Sequence, residues 1–197
     1  MITGDRIPSP ADPDRVARLA ALRSEVDSHR GGRLHDEWSR VAVQEAIAAA
    51  FEGNAGVGVV LIDAGDEIVA RDHNRMFRPH FRSDRHAEMV LLTAFEEAHR
   101  DADLIGYTLI SSLEPCEMCM IRIINSGITN VLYVSPDAGK GAITGPNSLA
   151  PHWARLADHQ HFAQADCDPR LTEIALAAFE MVIGDVVAKL MARRSQA

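Results

Sequence analysis

His86-Ala87-Glu88 and, thirty positions after the histidine, Pro115-Cys116-Glu117-Met118-Cys119 are the residues of this chain whose types and spacing could do chemistry. One imidazole and two thiols are what a single tetrahedral metal ion collects, and Zn²⁺ is the borderline-soft ion that this mixture suits. Three protein ligands leave the fourth vertex to water, which is the arrangement of a catalytic rather than a structural zinc. Zn²⁺ with two thiolates and a neutral imidazole carries no formal charge, so the metal alone activates water weakly. Glu88 follows the histidine by two residues and is not needed as a ligand. A carboxylate in that place can take the proton from water and return it later, work worth about 10²–10⁴ in rate.

Each part also has a plainer reading. HxE alone is common, and on a helix it usually faces solvent. An isolated CxxC is also found as half of a structural zinc site, as a redox pair, or as two buried cysteines. A closed structural site would need a fourth ligand; His73, His80 and His99 are available, but none completes a familiar spacing. The redox reading lacks a thioredoxin-like context, and HxE before a strand with PCxxC after it favours the catalytic metal.

The elements that must position these groups can be read from periodicity. Val16, Leu19, Ala20, Leu22 and Val26 predict a helix over 14–28, which His29-Arg30-Gly31-Gly32-Arg33 breaks. A second helix is expected over 36–51, with Asp36 as its N-cap, and Val57–Ile62 reads as a buried central strand paired with a strand over 67–71. The helix carrying His86 and Glu88 ends near Arg100. A strand over 104–112 then feeds Pro115, and a helix over 116–126 closes on Gly127. Proline fits just ahead of a helix, where a missing N–H costs nothing, and the free N–H groups of a first turn stabilise thiolates. Two helix starts thus point at one locus. A strand over 129–134, a loop over 137–151, a weak strand near 161–163 and a long helix over 169–192 complete the order. One mixed sheet covered by helices on both faces follows. We expect an N-terminal extension with one helix over 1–35, led in by a flexible 8–13, and the catalytic domain over 36–197.

The 197 residues are 47% hydrophobic and 24% charged, the composition of an ordinary globular chain. No apolar run is long enough for a membrane span, and the start lacks a secretory signal. Three cysteines, two of them in CxxC, do not make a disulfide framework, so a cytoplasmic location is expected, with Cys167 a spare thiol. The net charge of −8 argues against a general polyanion binder.

The motifs, with the strand Gly56-Val57-Gly58-Val59-Val60-Leu61, Asn74 and Ser112-Leu113-Glu114-Pro115, resemble the cytidine deaminase-like superfamily, in the branch of tRNA adenosine deaminases and guanine deaminases. The resemblance spans Glu45 to Val134 and extends loosely through Asp137-Ala138-Gly139-Lys140-Gly141-Ala142. It departs at Ala55-Gly56-Val57-Gly58, where the branch usually has a proline before the strand. It implies a three-layer α/β/α sandwich with a mixed five-stranded sheet, and a homodimer. It implies zinc on His86, Cys116 and Cys119, Glu88 as the proton shuttle, and substrate contacts at Asn74, Ala87 and Pro115. The implied reaction is hydrolytic loss of ammonia from an amino-bearing ring carbon. Asn74 also reads as a polar turn residue after a strand.

Arg71, Arg75, Arg78, Arg82 and Arg85 crowd the segment that enters the site. Guanidinium forks suit phosphate; equally, these arginines pair with an acidic surface or a dimer partner. Phe77 and Phe81 suit stacking on a base, or packing within the core or a lid. His152 and Trp153 suit a pocket wall, or Trp153 an anchor for a short helix. The acidic balance favours a small nucleobase, nucleoside or related heterocycle as substrate. A tRNA adenosine deaminase is the alternative, and a non-catalytic zinc-stabilised binding protein a more distant one.

Overall fold

Val59 and Leu61 face one side of the central strand β1 (Gly58–Ile62), and Val60 and Ile62 the other, so the alternation of one short segment sorts the molecule into layers. The computed structural model describes residues 12–137, 141–143 and 149–195. The lead-in up to Ala11, and residues 138–140 and 144–148 of the expected 137–151 loop, lie outside them.

On the Val60 side pack α1 (Pro13–Ser28), α2 (Asp36–Phe51) and α6 (Pro169–Arg194), through Val26, Val43, Ile47, Leu171 and Ile174. On the Val59 side pack α3 (Ala87–Ala98) and α4 (Glu117–Ser126), through Leu91, Leu92, Phe95 and Ile123. Between them lies a sheet of β1, β2 (Ile68–His73), β3 (Thr108–Leu113), β4 (Asn130–Ser135) and β5 (His161–Gln164), in the order β2-β1-β3-β4-β5. β1 runs antiparallel to β2 and β3, whereas β3, β4 and β5 are mutually parallel. The expected mixed five-stranded α/β/α sandwich is therefore the observed one. The two edges of the sheet are visible in the burial: all of β1 and β3 is buried, while the edge strands β2 and β5 include exposed positions. No described helix is long and apolar enough to cross a membrane.

Helix ends differ from expectation in one instructive place. Asp36 does not cap α2; His35 holds the N-cap position. The Asp36 carboxylate turns instead to accept from the backbone N–H of Gly32 (2.7 Å), Arg33 (2.8 Å) and Asp168 (2.6 Å). Burial alone would raise its pKa, but these donors outweigh it and hold the carboxyl below its ordinary range. A residue type that suits a cap has been used to tie the α1–α2 linker to the start of α6. Strand limits also shift: β2 runs on to His73, and β3 begins at Thr108 because Gly106, at φ +83, turns the chain just before it. The four remaining ends near the site fall close to where the sequence places them, including Gly127, left-handed at φ +76, which terminates α4.

His73, at the end of β2, is wedged between two carboxylates of α2 and its C-terminal turn. Its Nδ1 lies 2.7 Å from Glu45 Oε2 and its Nε2 3.3 Å from Glu52 Oε2. Burial opposes charge on the ring, but the Glu45 hydrogen bond and the Glu52 charge raise its pKa overall. A raised folded-state pKa means that protonation favours the fold. The contribution is full below the unfolded value of about 6.5 and is lost as pH rises through the folded value. We expect His73→Gln to cost about 1.5–3 kcal/mol below pH 6, and clearly less at pH 9, in denaturant titrations at both pH values. An equal cost at the two pH values would contradict it.

Candidate metal centre

The end of β3 and the starts of α3 and α4 build the site. His86 is the N-cap of α3 and Cys116 the N-cap of α4, both in extended backbone, with Cys119 in the first turn of α4. The two helices therefore begin at the same locus, with their unpaired N–H groups directed to it. His86 Nδ1 lies 3.6 Å from Cys116 Sγ and 3.7 Å from Cys119 Sγ, and the two sulfurs are 3.7 Å apart. A tetrahedron with Zn–S of ~2.3 Å and Zn–N of ~2.0–2.1 Å has edges of ~3.8 Å between sulfurs and ~3.6 Å from nitrogen to sulfur. The donor triangle thus has zinc's dimensions. Among the described residues this trio forms the only such group of His, Cys, Asp and Glu donors. His73 is committed to Glu45 and Glu52, and His99 stacks on Phe95 at 4.5 Å, so neither closes the set.

The protons follow from these distances. The hydrogen bond from Cys119, with help from His86, pulls the Cys116 thiol down to about 4. The same bond, together with burial, pushes Cys119 well above the ordinary thiol range. Burial disfavours charge on His86, yet the neighbouring Cys116 raises its pKa. One negative charge is therefore already present for a cation, and the second thiolate forms by loss of the Cys119 proton.

Glu88 is 3% exposed, in the first turn of α3, and burial raises its pKa. The Ser111 hydroxyl on β3 donates to its Oε1 at 3.1 Å, and Cys119, Cys116 and His86 are all near enough to act on its charge. Ser111 was not singled out by sequence reasoning. Its signal would have been the SS pair of Ser111 and Ser112 inside an apolar strand; Ser112 Oγ in turn accepts from Gly58 N at 3.0 Å.

The other expected site residues are placed as follows. Asn74 is 2% exposed and follows β2; its backbone N–H donates to Val57 O at 2.9 Å and its Oδ1 accepts from Met76 N at 3.0 Å. Because His73 pairs with Gly58, and Val59 with Ser111, Asn74 lies at the sheet end from which the chain leaves for Cys116. Ala87 is fully buried at the first position of α3, and Pro115 O accepts from Ala142 N at 3.0 Å. The arginine-rich segment is largely engaged by acidic groups: Arg71 with Glu45, Arg75 with Asp72 and Arg82 with Asp84. Phe77 and Phe81 meet at 5.4 Å and are covered by α6, with Lys189 over the first ring and Arg193 over the second. Trp153, on α5 (Pro151–Ala157), packs with Met120, Ile124 and Ala142 and anchors that helix. Cys167 is buried beside Thr172.

Sequence and structure comparisons agree with this geometry. The Bacillus subtilis tRNA-specific adenosine deaminase is 35% identical over 108 residues, 55% of this chain and 65% of that protein. The tRNA(Ile)-lysidine synthase of Deinococcus deserti is 30% identical over 109 residues, 55% of this chain but 20% of its own length. This chain thus spans less than two thirds of the length of either of these two curated relatives. Among solved structures, guanine deaminase from Nitrosomonas europaea aligns with a TM-score of 0.58 at 15% identity, covering 90% of this chain and 99% of that one. A tRNA:A34 deaminase aligns with a TM-score of 0.54 at 24% identity, covering 66% and 97%. At these identities the alignments speak for a shared fold. Residues 33–135, which hold both motifs and the strands between them, match the zinc-binding region of cytidine and deoxycytidylate deaminases. Through that match over more than half its length, the chain belongs to this zinc-binding deaminase family.

Proposed function

We propose that the chain is a zinc-dependent hydrolytic deaminase of a small nucleobase, nucleoside or related aminated heterocycle. The observation that carries the reading is the His86–Cys116–Cys119 triangle of zinc's dimensions with the Glu88 carboxyl buried beside it. His86, Cys116 and Cys119 would hold the metal. When bound, zinc would hold and polarise a water, and Glu88 would complete its activation. Glu88 accepts that water's proton, delivers it to the ring nitrogen next to the amino-bearing carbon, and assists the departure of the amine as ammonia. Water's oxygen becomes the ring carbonyl, so one water is consumed for each ammonia released. Ser111 holds Glu88 in place through its hydroxyl, and burial raises the carboxyl's pKa, which favours its holding the proton between the two transfers. The Asn74 amide and the Ala87 N–H would serve as substrate contacts, with Pro115, and the working unit is a homodimer.

A small substrate is favoured by the overall charge of −8 and by the acidic partners already bound to Arg71, Arg75 and Arg82. The tRNA adenosine deaminase reading is favoured by the names of the sequence relatives, several of which are 31–35% identical to this chain. One experiment separates them. Ammonia release is measured with adenine, guanine and cytosine, their nucleosides and nucleotides, and a tRNA transcript carrying an unmodified anticodon adenosine. Turnover of a small compound, nearly independent of salt between 50 and 200 mM, is the expected result. Turnover of the transcript alone, falling steeply over that range as counterion release demands, would replace the proposal by the alternative.

A further inference from the structure

We propose that Glu114 is a positioning residue for the metal centre, its buried carboxylate clamping Asp137 and Ile143 against the Pro115–Cys116 turn and so holding the thiols in register. The inference rests on the zinc reading above and adds a residue that touches neither metal nor substrate. Glu114 leaves β3 immediately before the turn and is 3% exposed. Its backbone N–H donates to Ser135 O at 2.8 Å, at the end of β4. Its Oε2 accepts from Asp137 N at 3.2 Å and its Oε1 from Ile143 N at 2.9 Å. One side chain therefore grips the segment at both ends. The next residue joins in, since Pro115 O accepts from Ala142 N at 3.0 Å.

Two further features show that the segment is built around this carboxylate. Gly141 passes so close that a Cβ there would overlap the Glu114 carboxyl group, so any other residue would push the carboxylate off its two donors. Ala142 packs in one apolar cluster with Met120 and Ile124 of α4, the first of them next to Cys119, and with Trp153 from α5. The clamp thus ends on the helix that carries both thiols. A carboxylate suits the task because both gripped groups are backbone N–H donors and it offers only acceptors. A glutamine would set an NH₂ against one of those donors.

The test needs no substrate. Zinc is loaded into the full chain, and its release to a chromogenic chelator is timed, together with hydrogen exchange of the Ala142 and Ile143 amides. Glu114→Gln, which keeps the volume, is expected to speed zinc release about 10–100-fold, the usual cost of losing a group that orients ligands. The Ala142 and Ile143 amides should exchange faster, while the β1 amides keep wild-type protection. Gly141→Ala reaches the same contact from the opposite side and should act in the same direction. If the overlap with Glu114 is the cause, the double variant E114A/G141A releases zinc no faster than E114A alone. Wild-type zinc release and exchange in both E114Q and G141A would overturn the inference, as would effects that add fully in the double variant. A chain that binds zinc but releases no ammonia from any tested compound would instead refute the deaminase reading and leave this one standing.

Discussion

Glu88→Gln is expected to abolish ammonia release while zinc content, fold and substrate binding stay as in the wild type. Glutamine has the same length and shape, and its amide oxygen can still accept from the Ser111 hydroxyl, which sits 3.1 Å from Oε1. What disappears is a group that gains and loses a proton. The site then lacks the base that activates water and the acid that protonates the ring nitrogen and the leaving amine. A loss of about 10²–10⁴-fold is the minimum for one such role, and serving in both directions places this variant at the upper end or beyond. Metal analysis and thermal unfolding run beside the assay separate this outcome from collapse. Near-normal turnover in a zinc-loaded E88Q chain would remove Glu88 from the chemistry. It would also revive the zinc-stabilised binding protein, which has no use for a titrating carboxyl at that position.

The second large effect concerns the metal itself. Cys119→Ala should reduce bound zinc from about one per chain to below about a tenth after dialysis against a mild chelator, because only two donors of the triangle persist. The alanine is accommodated without strain, since Cys119 is 1% exposed on the inner face of a helix. The fold should survive: the sheet and its two apolar faces are assembled by residues such as Val60, Ile110, Leu91 and Leu109, and the trio belongs to neither apolar cluster. Activity should fall with zinc content and should not return on adding excess Zn²⁺. Full zinc occupancy in C119A would mean that the ion sits elsewhere. In the wild type, retention should weaken as pH falls, because binding requires Cys119 to surrender a proton that its neighbour and its burial hold tightly.

The residues legible in the sequence were those whose meaning is carried by local spacing. The two residues between Cys116 and Cys119 put both thiols on one helical turn, and a proline ahead of them marks where that helix begins. The β-branched run at Val59–Ile62 could only be an interior strand, and the apolar repeat from Leu171 to Val186 could only be a helix with one buried face. The misread and missed residues depend on partners far along the chain. Asp36 looked like a cap because its neighbours call for one, but an N–H from Asp168, 132 residues away, competes for it. Ser111 is silent until folding sets it beside Glu88, and Glu114 is silent until β4 returns to deliver Asp137 and Ile143. The sequence leaves the arginines between Arg71 and Arg85 open between a phosphate cradle and acidic partners, and for Arg71 the partner, Glu45, lies 26 residues earlier in the chain.

The parallel pairing of β4 with β5 has a consequence for how such an enzyme can diversify. Antiparallel neighbours are joined by a tight hairpin, but parallel ones oblige the chain to travel back over the whole sheet. Residues 136–160 make that return journey here, carrying Ala142 and Trp153 past α4 on the way. The excursion is anchored at its margins and hydrogen-bonded to the backbone near the thiols, yet contributes no ligand to the trio. Exchanges on α5, beyond the residues that Glu114 grips, can therefore alter this face of the molecule without touching the donor trio.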